Sequence, residues 1–278
     1  KKWLGIAPER SIPPLPKTTF RHWYTNREPA AESSVHGTVF LFCDEFTNYL
    51  EPGIGIAAVE LLEKLGFQVK MPIHNESGRS AISQGLLRSA QKHANENVRQ
   101  FRKLVGPNTP LIGIEPSAIL TFRDEYPALV DASLRDSANE LANHALMFDE
   151  FIETQIDRGK IQSSQFEPKQ QSIRLHGHCH QKALASLKPT IRMLQLPLGH
   201  RVRLIPSGCC GMAGAFGYDQ DHYDLSMKIG ELVLFPKIRA EKMESIIAAP
   251  GTSCRHQILD GTGRLAKHPI EILNARIN

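Results

Sequence analysis

Thr38-Val39-Phe40-Leu41-Phe42-Cys43 is a short apolar run bounded by polar residues, and Phe67-Gln68-Val69-Lys70-Met71 is a second run of strand length. Between them Pro52 opens a helical stretch, in the first-turn position that proline favours. Ile56, Val59, Leu61, Leu62 and Leu65 then supply apolar positions, and Gly66 ends the helix. Strand, helix and strand in that order predict parallel neighbours joined by a right-handed crossover. The fold class that follows is α/β.

Outward from this unit the pattern repeats. Ser83 to about Val105 carries Leu86, Leu87, Ala90, Ala94, Val98 and Leu104 at helical spacing, and Pro110–Ile114 reads as a strand entering Glu115-Pro116-Ser117. Ile119–Leu129 and Asp136–Ile156 are expected to be helices, with Pro127 disturbing the end of the first. Gly159 to Gln171 is polar and aperiodic, a candidate boundary. Beyond it, Ser172–Leu175 is a strand ending in His176-Gly177-His178-Cys179-His180, followed by a helix through Ala183, Leu187 and Leu194. Arg201–Ile205 is a strand that feeds Ser207-Gly208-Cys209-Cys210-Gly211-Met212-Ala213-Gly214. His222–Leu232 resumes helical spacing, and Ser245–Ala249 is read as the final strand, entering Gly251-Thr252-Ser253-Cys254. Upstream, Lys1 to Ser34 reads as an arm: Pro8, Pro13, Pro14 and Pro16, no helical period, and an aromatic group of Phe20, Trp23 and Tyr24. The expected organisation is an arm over 1–34, a first lobe over 35–160 and a second over 161–278.

The two lobes keep step, as an internal repeat does. Glu45 precedes Glu76 by 31 positions and Cys179 precedes Cys209 by 30, while Ser77 precedes Ala118 by 41 and Cys210 precedes Cys254 by 44. Each loop cysteine of the second half therefore faces Glu, Ser or Ala in the first. The expected architecture is two similar Rossmann-like lobes with parallel sheets. Loops at the carboxyl ends of such strands converge on one crevice. Cys179, Cys209, Cys210 and Cys254 should meet there, whereas Glu45 and Glu76 could hold a hard cation but are expected to form a hydrogen-bonded remnant.

Composition limits the function. In 278 residues, 41% hydrophobic and 22% charged with a net charge of +4, the scattered Lys and Arg leave no nucleic-acid footprint. No apolar run approaches the roughly 18 residues of a membrane span, and no secretory leader is visible. A cytoplasmic location is expected, or membrane association through a partner. Five cysteines are an odd number for a disulfide framework. The plain alternative is that each is a small buried hydrophobe, which is the reading for Cys43 inside its strand.

Four convergent thiols suit tetrahedral zinc or an iron–sulfur cluster. Zinc usually draws on C-x₂₋₄-C knuckles, and none is present; long spacings with an adjacent pair favour the larger centre. His176, His178, His180 and His256 lie beside these cysteines. They could replace a thiolate, donate to cluster sulfurs or relay a proton, or simply shape the crevice by bonding loop carbonyls. A Cys–His hydrolase is disfavoured, because such catalysis has no use for three further cysteines. Gly208, Gly211 and Gly214 do not have dinucleotide-fingerprint spacing.

These strings resemble the cysteine-rich CCG domain family, found in the heterodisulfide reductase cluster-bearing subunit, the glycolate oxidase iron–sulfur subunit and the anaerobic glycerol-3-phosphate dehydrogenase small subunit. The family pattern is a lone Cys, some thirty residues, Cys-Cys-Gly and a closing Cys-x-x-Cys, in two copies. Here the second copy appears as Cys179, Cys209-Cys210-Gly211 and Cys254. His176–Lys182, Gly208–Gly214 and Gly251–Gln257 look most like the carboxyl-terminal part of FAD-linked oxidases of the D-lactate or D-2-hydroxy-acid dehydrogenase type. The resemblance implies electron transfer through an iron–sulfur cluster, 4Fe–4S with zinc as the alternative, from FAD on a separate domain or subunit to an acceptor. Gly251 replaces the first cysteine of the closing motif, leaving four thiolate ligands, and the first copy has lost its cysteines. With no flavin domain in these residues, substrate oxidation is not expected on this piece alone. The alternative is a zinc-stabilised or metal-free docking domain for the flavin domain.

Overall fold

The computed structural model describes residues 1–28 and 35–278. The expected boundary at Ser34 lies outside them. Among the described residues, eight strands form two four-stranded, all-parallel sheets. The first holds β1 (Gly37–Phe42), β2 (Phe67–Lys70), β3 (Leu111–Gly113) and β4 (Ala145–Met147) in the order β2-β1-β3-β4. The second holds β5 (Gln171–Leu175), β6 (His200–Leu204), β7 (Ile246–Ala248) and β8 (Ala266–Lys267) in the order β6-β5-β7-β8. One strand permutation describes both sheets, so the spacing repeat is a structural one. In each, the strand order reverses at the first strand, and the loops leaving that strand and its two neighbours flank a crevice.

Both outer strands differ from expectation. Asp136–Ile156 is not one helix: helices Arg135–His144 and Phe148–Asp157 are separated by β4. Ala145-Leu146-Met147 contains good helix formers without β-branching, so local propensity continues the helix. Pairing of Leu111 with Ala145 and Gly113 with Met147 overrides it. Likewise Ser245–Ala249 is not the last strand, because two residues of β8 pair with β7. Shorter helices also replace long ones. The Ser83–Val105 stretch is broken at Gly85, φ +72°, into Arg79–Ser83 and Leu87–Phe101. Ile119–Leu129 becomes helix Pro116–Ile119, a 3-10 turn and helix Tyr126–Leu129, with Pro127 in the first turn of the last rather than at its end.

The arm is not devoid of helix. Phe20–Asn26 forms one, capped where the Thr19 hydroxyl accepts from the His22 amide at 3.2 Å. Phe20 is fully buried against Gly55, where an added Cβ would lie 2.6 Å from the ring. Full burial of a phenylalanine contributes about 1.5–3 kcal/mol. Further upstream Arg10 is fully buried in the second lobe, donating to Gly217 O at 2.6 Å, Gln257 Oε1 at 2.5 Å and Ser226 Oγ at 2.8 Å. The arm is thus fastened to both lobes.

The lobes also share a core. Leu41, Val59, Leu62, Phe67 and Phe151 pack in one cluster with Met193, Leu196, Ile270 and Leu273 of the second half. Several first-lobe carboxylates reach the second lobe, the buried Glu115 and Asp149 among them. Glu115 accepts from the Thr252 amide at 2.9 Å, Glu51 pairs with the buried Arg255, and Asp149 accepts from Gln181 Nε2 at 2.9 Å. Burial raises the Asp149 carboxyl to about 6.

Candidate metal centre

Each cysteine of the second lobe sits just beyond the end of a strand. β5 delivers Cys179 to the first position of helix Cys179–Leu184, with His178 as N-cap. β6 runs into the loop of Cys209 and Cys210. There Gly211 has φ +102°, and a Cβ on it would lie 2.3 Å from Ser226 O, so only glycine fits the turn. β7 leads to Gly251, the N-cap of helix Thr252–Thr262, which carries Cys254. Lys182 ties two of these pieces together by donating to Ser207 O at 2.9 Å and Gly208 O at 2.6 Å.

All four thiols line one cleft of about 550 Å³, together with His178, His180, His256 and, from the first lobe, Phe46, Leu50, Arg79 and Ser117. Cys210 and Cys254 are buried, Cys209 is half-buried and Cys179 is exposed, and none is in a disulfide. The thiols act on one another's protonation in the order Cys179, Cys209, Cys210, Cys254, each on its neighbour. Hydrogen bonds from Cys179 and then Cys210 hold Cys209 well below the ordinary thiol range, helped by the Gly211 amide at 3.3 Å. A hydrogen bond from Cys210 does the same for Cys254, with His176 contributing. The donors Cys179 and Cys210 are pushed up in return. Deprotonated thiols are the ligand form.

The histidines are closer to the centre than loop-shaping alone would place them. Ligand atoms of His176, Cys210 and Cys254 lie within 4.8 Å of one another, as do those of His178, Cys179 and His180. His176 Nδ1 meets Ser207 Oγ at 2.7 Å, which leaves Nε2 facing the sulfurs. His176 Nε2 and His178 Nδ1 are buried without a hydrogen-bond partner. Buried polar atoms are normally satisfied, and an orphan pair beside four thiols fits a bound metal centre. His256 is different, since its Nδ1 is engaged by the Tyr218 hydroxyl at 2.9 Å.

The first lobe repeats the frame without the sulfur. Glu45 opens helix Glu45–Tyr49 as Cys179 opens its helix, Gly78 has φ +78° where Gly211 has +102°, and Glu115 is the N-cap where Gly251 is. The buried Glu45 carboxylate accepts from Ser77, and Tyr126 donates to Ser77 O at 2.9 Å, closing the crevice with hydrogen bonds. Glu76 is exposed and takes no part in this pairing. Cys43 is core: its thiol is pushed up to about 12 by burial, and its amide donates to His74. Glu115, which reaches the rim of the second-lobe site, had no signal in the sequence, because its partner Thr252 lies 137 positions away.

No family model matches the chain. Among curated proteins it is 28% identical over 273 residues to the C subunit of the anaerobic glycerol-3-phosphate dehydrogenase of Escherichia coli, covering 97% of this chain and 66% of that protein. It is 26% identical over 283 residues to D-2-hydroxyglutarate dehydrogenase of the same organism, covering 98% of this chain and 26% of that one. Lactate utilization protein A of Bacillus subtilis is 25% identical over 251 residues, covering 86% of this chain and 99% of its own length. The chain therefore spans under two thirds of the glycerol-3-phosphate dehydrogenase component and about a quarter of the D-2-hydroxyglutarate enzyme. The relatives are dehydrogenase-related. Among the described residues, no helix is long and apolar enough to cross a membrane.

Proposed function

We propose that this chain is an electron-transfer unit of the CCG type. It would serve an FAD-linked dehydrogenase acting on a D-2-hydroxy acid and pass electrons from a flavin elsewhere in the protein or complex to an acceptor. An iron–sulfur centre, 4Fe–4S, would be held by Cys179, Cys209, Cys210 and Cys254 of a second lobe spanning 161–278. The first lobe, 35–160, would act as scaffold. The observation that carries this reading is the meeting of four free thiols in one cleft beside two unpartnered buried imidazole nitrogens. The dehydrogenase names of the relatives support it. Association with a membrane would come through the partner.

When bound, the centre would supply one-electron redox chemistry. The chain's own contribution is positioning and environment. Cys209 and Cys254 are held toward the thiolate form that ligation needs, whereas Cys179 and Cys210, pushed up in return, would release their protons on binding. His176 Nε2, unpartnered and grouped with Cys210 and Cys254, would donate to a sulfur of the bound centre, an interaction of the kind that raises a cluster's potential. Phe46, Leu50 and Tyr218 at the cleft wall limit water. Cys179, the exposed ligand, marks the side nearest solvent and an incoming partner.

A zinc site is the second reading. It is favoured by His176, Cys210 and Cys254, a compact and fully buried trio of the kind zinc takes. Elemental analysis of anaerobically purified protein separates the two. Iron with acid-labile sulfide and a brown colour, both lost in Cys209→Ser and Cys254→Ser, is the expected result. A colourless wild type holding zinc would replace the first reading with the second.

A further inference from the structure

We infer that His178 supplies the ligand that residue 251 lacks, a fifth protein ligand beyond the one per iron that a simple four-iron cubane takes, so that the centre is held by four thiolates and one imidazole nitrogen. The inference rests on the iron–sulfur reading above. Gly251 stands where the resemblance places the first cysteine of a closing Cys-x-x-Cys. A Cβ at 251 would lie 2.3 Å from His178 Cδ2, 3.1 Å from its Nε2 and 3.3 Å from Cys254 Sγ. The His178 ring therefore fills the room that a side chain at 251 would need, directly beside a proposed ligand sulfur. Glycine at 251 and histidine at 178 are two halves of one exchange, since neither a cysteine nor any other side chain fits at 251 while the ring is there.

The ring is prepared to bind. His178 is 6% exposed, and its Nδ1 is buried with no partner, a state that is costly for a polar group unless a ligand relieves it. Its other nitrogen, Nε2, lies 3.7 Å from Glu115 Oε1. Glu115 is itself fixed by the Ser117 hydroxyl at 2.9 Å and the Thr252 amide at 2.9 Å. A carboxylate on one imidazole nitrogen sets the tautomer that leaves the other nitrogen's lone pair for a metal. At 3.7 Å Glu115 makes no hydrogen bond to the ring, but its charge would favour the proton on Nε2, and Nδ1 would be the ligand atom. His178 also shares a ligand cluster with Cys179 and His180, and Cys254 Sγ borders the same position 251 that its ring fills. His176 differs, because its ligand atom groups with those of Cys210 and Cys254 rather than with Cys179, and its Nδ1 is already engaged by Ser207 Oγ. The lobe without loop cysteines would thus contribute Glu115, the group that orients this ligand.

The test is pulsed EPR on the reduced, anaerobically reconstituted chain, with and without ¹⁵N-histidine. The expected result is a strongly coupled histidine nitrogen in the wild type. It should vanish in His178→Ala and persist in His180→Ala. Gly251→Cys combined with His178→Ala should restore iron content without the nitrogen coupling, whereas Gly251→Cys alone should lower iron. Glu115→Gln should keep the coupling but weaken iron retention against a chelator by about tenfold. An iron-loaded wild type with no coupled histidine nitrogen overturns the inference and leaves the proposed function standing. So does His178→Ala with unchanged iron and spectrum. A wild type that takes up no iron overturns both.

Discussion

The carboxylate of Glu45 spans the first-lobe crevice to Ser77, accepting from its amide at 3.0 Å and from its hydroxyl at 2.7 Å. These two residues occupy the positions that Cys179 and Cys210 hold in the second lobe, so hydrogen bonds close one crevice where thiols line the other. Glu45→Ala would leave the Ser77 amide buried and unpaired, a cost of about 1–3 kcal/mol. The expected outcome is a lower urea midpoint with iron content unchanged. Loss of iron in this variant would mean that the first lobe takes part in binding.

Gly211 tests the turn that presents the cysteine pair. Its φ of +102° and the 2.3 Å approach of Ser226 O leave no place for a Cβ. Gly211→Ala carries backbone strain of about 1–3 kcal/mol and must also displace the helix that holds Ser226. Iron content should fall sharply while circular dichroism stays close to wild type. Gly208, with nothing within 4 Å of an added Cβ, is the control, and Gly208→Ala should keep its iron.

Arg10 ties the arm to the same loop. Its fully buried guanidinium donates to Gly217 O and Gln257, and Gln257 in turn donates to Ser226 O at 3.1 Å. Asp260 lies 3.2 Å away. Removing one partner of a buried charge pair costs about 3–5 kcal/mol. Arg10→Ala should lower the melting temperature and raise amide exchange across 211–218 before it does so in β1. Uniform exchange at both places would refute a local role.

His74 gives a pH dependence with a definite sign. Burial holds its imidazole down at about 4, with the nearby Arg21 acting in the same direction. Nδ1 donates to Asn75 O at 2.7 Å and Nε2 accepts from the Cys43 amide at 3.1 Å, so the neutral ring is the one that fits. An unfolded histidine protonates near ~6.5. Between these values the unfolded chain binds more protons, and stability falls as pH drops from about 6.5 to about 4, by up to about 3 kcal/mol. Asp44 and Asp149, raised to about 7 and about 6 chiefly by burial, act in the opposite sense. The comparison is therefore wild type against His74→Gln, in which the acid-side loss should shrink by one proton's worth. Equal slopes in urea titrations would contradict it.

Local sequence made much of this legible. Phe40–Phe42 and Ile173 read as strand because the runs are short, apolar and framed by turn residues, and Pro52 and Gly66 mark the helix between β1 and β2 to within two residues. The four loop cysteines could be placed in one crevice because each follows a strand of a parallel sheet. β4 and β8 could not be read. Three residues without β-branching and a two-residue pair have no periodicity of their own, and only their neighbours in the sheet make them strands. The helix at Phe20–Asn26 was hidden for a related reason: much of its stability comes from Phe20 docking on Gly55, a residue of another element.

The α/β class, the internal repeat and the identity of the sulfur-bearing residues were all written in the order of the amino acids, because strand length, helix punctuation and cysteine spacing are properties of neighbours along the chain. What surrounds the sulfurs was settled only when the chain folded. Glu115 reaches Thr252 across 137 positions, Arg10 reaches Gln257 across 247, and the His178 ring occupies the room left by Gly251. Burial and close approach of this kind depend on three-dimensional packing of distant segments, and no local pattern encodes them.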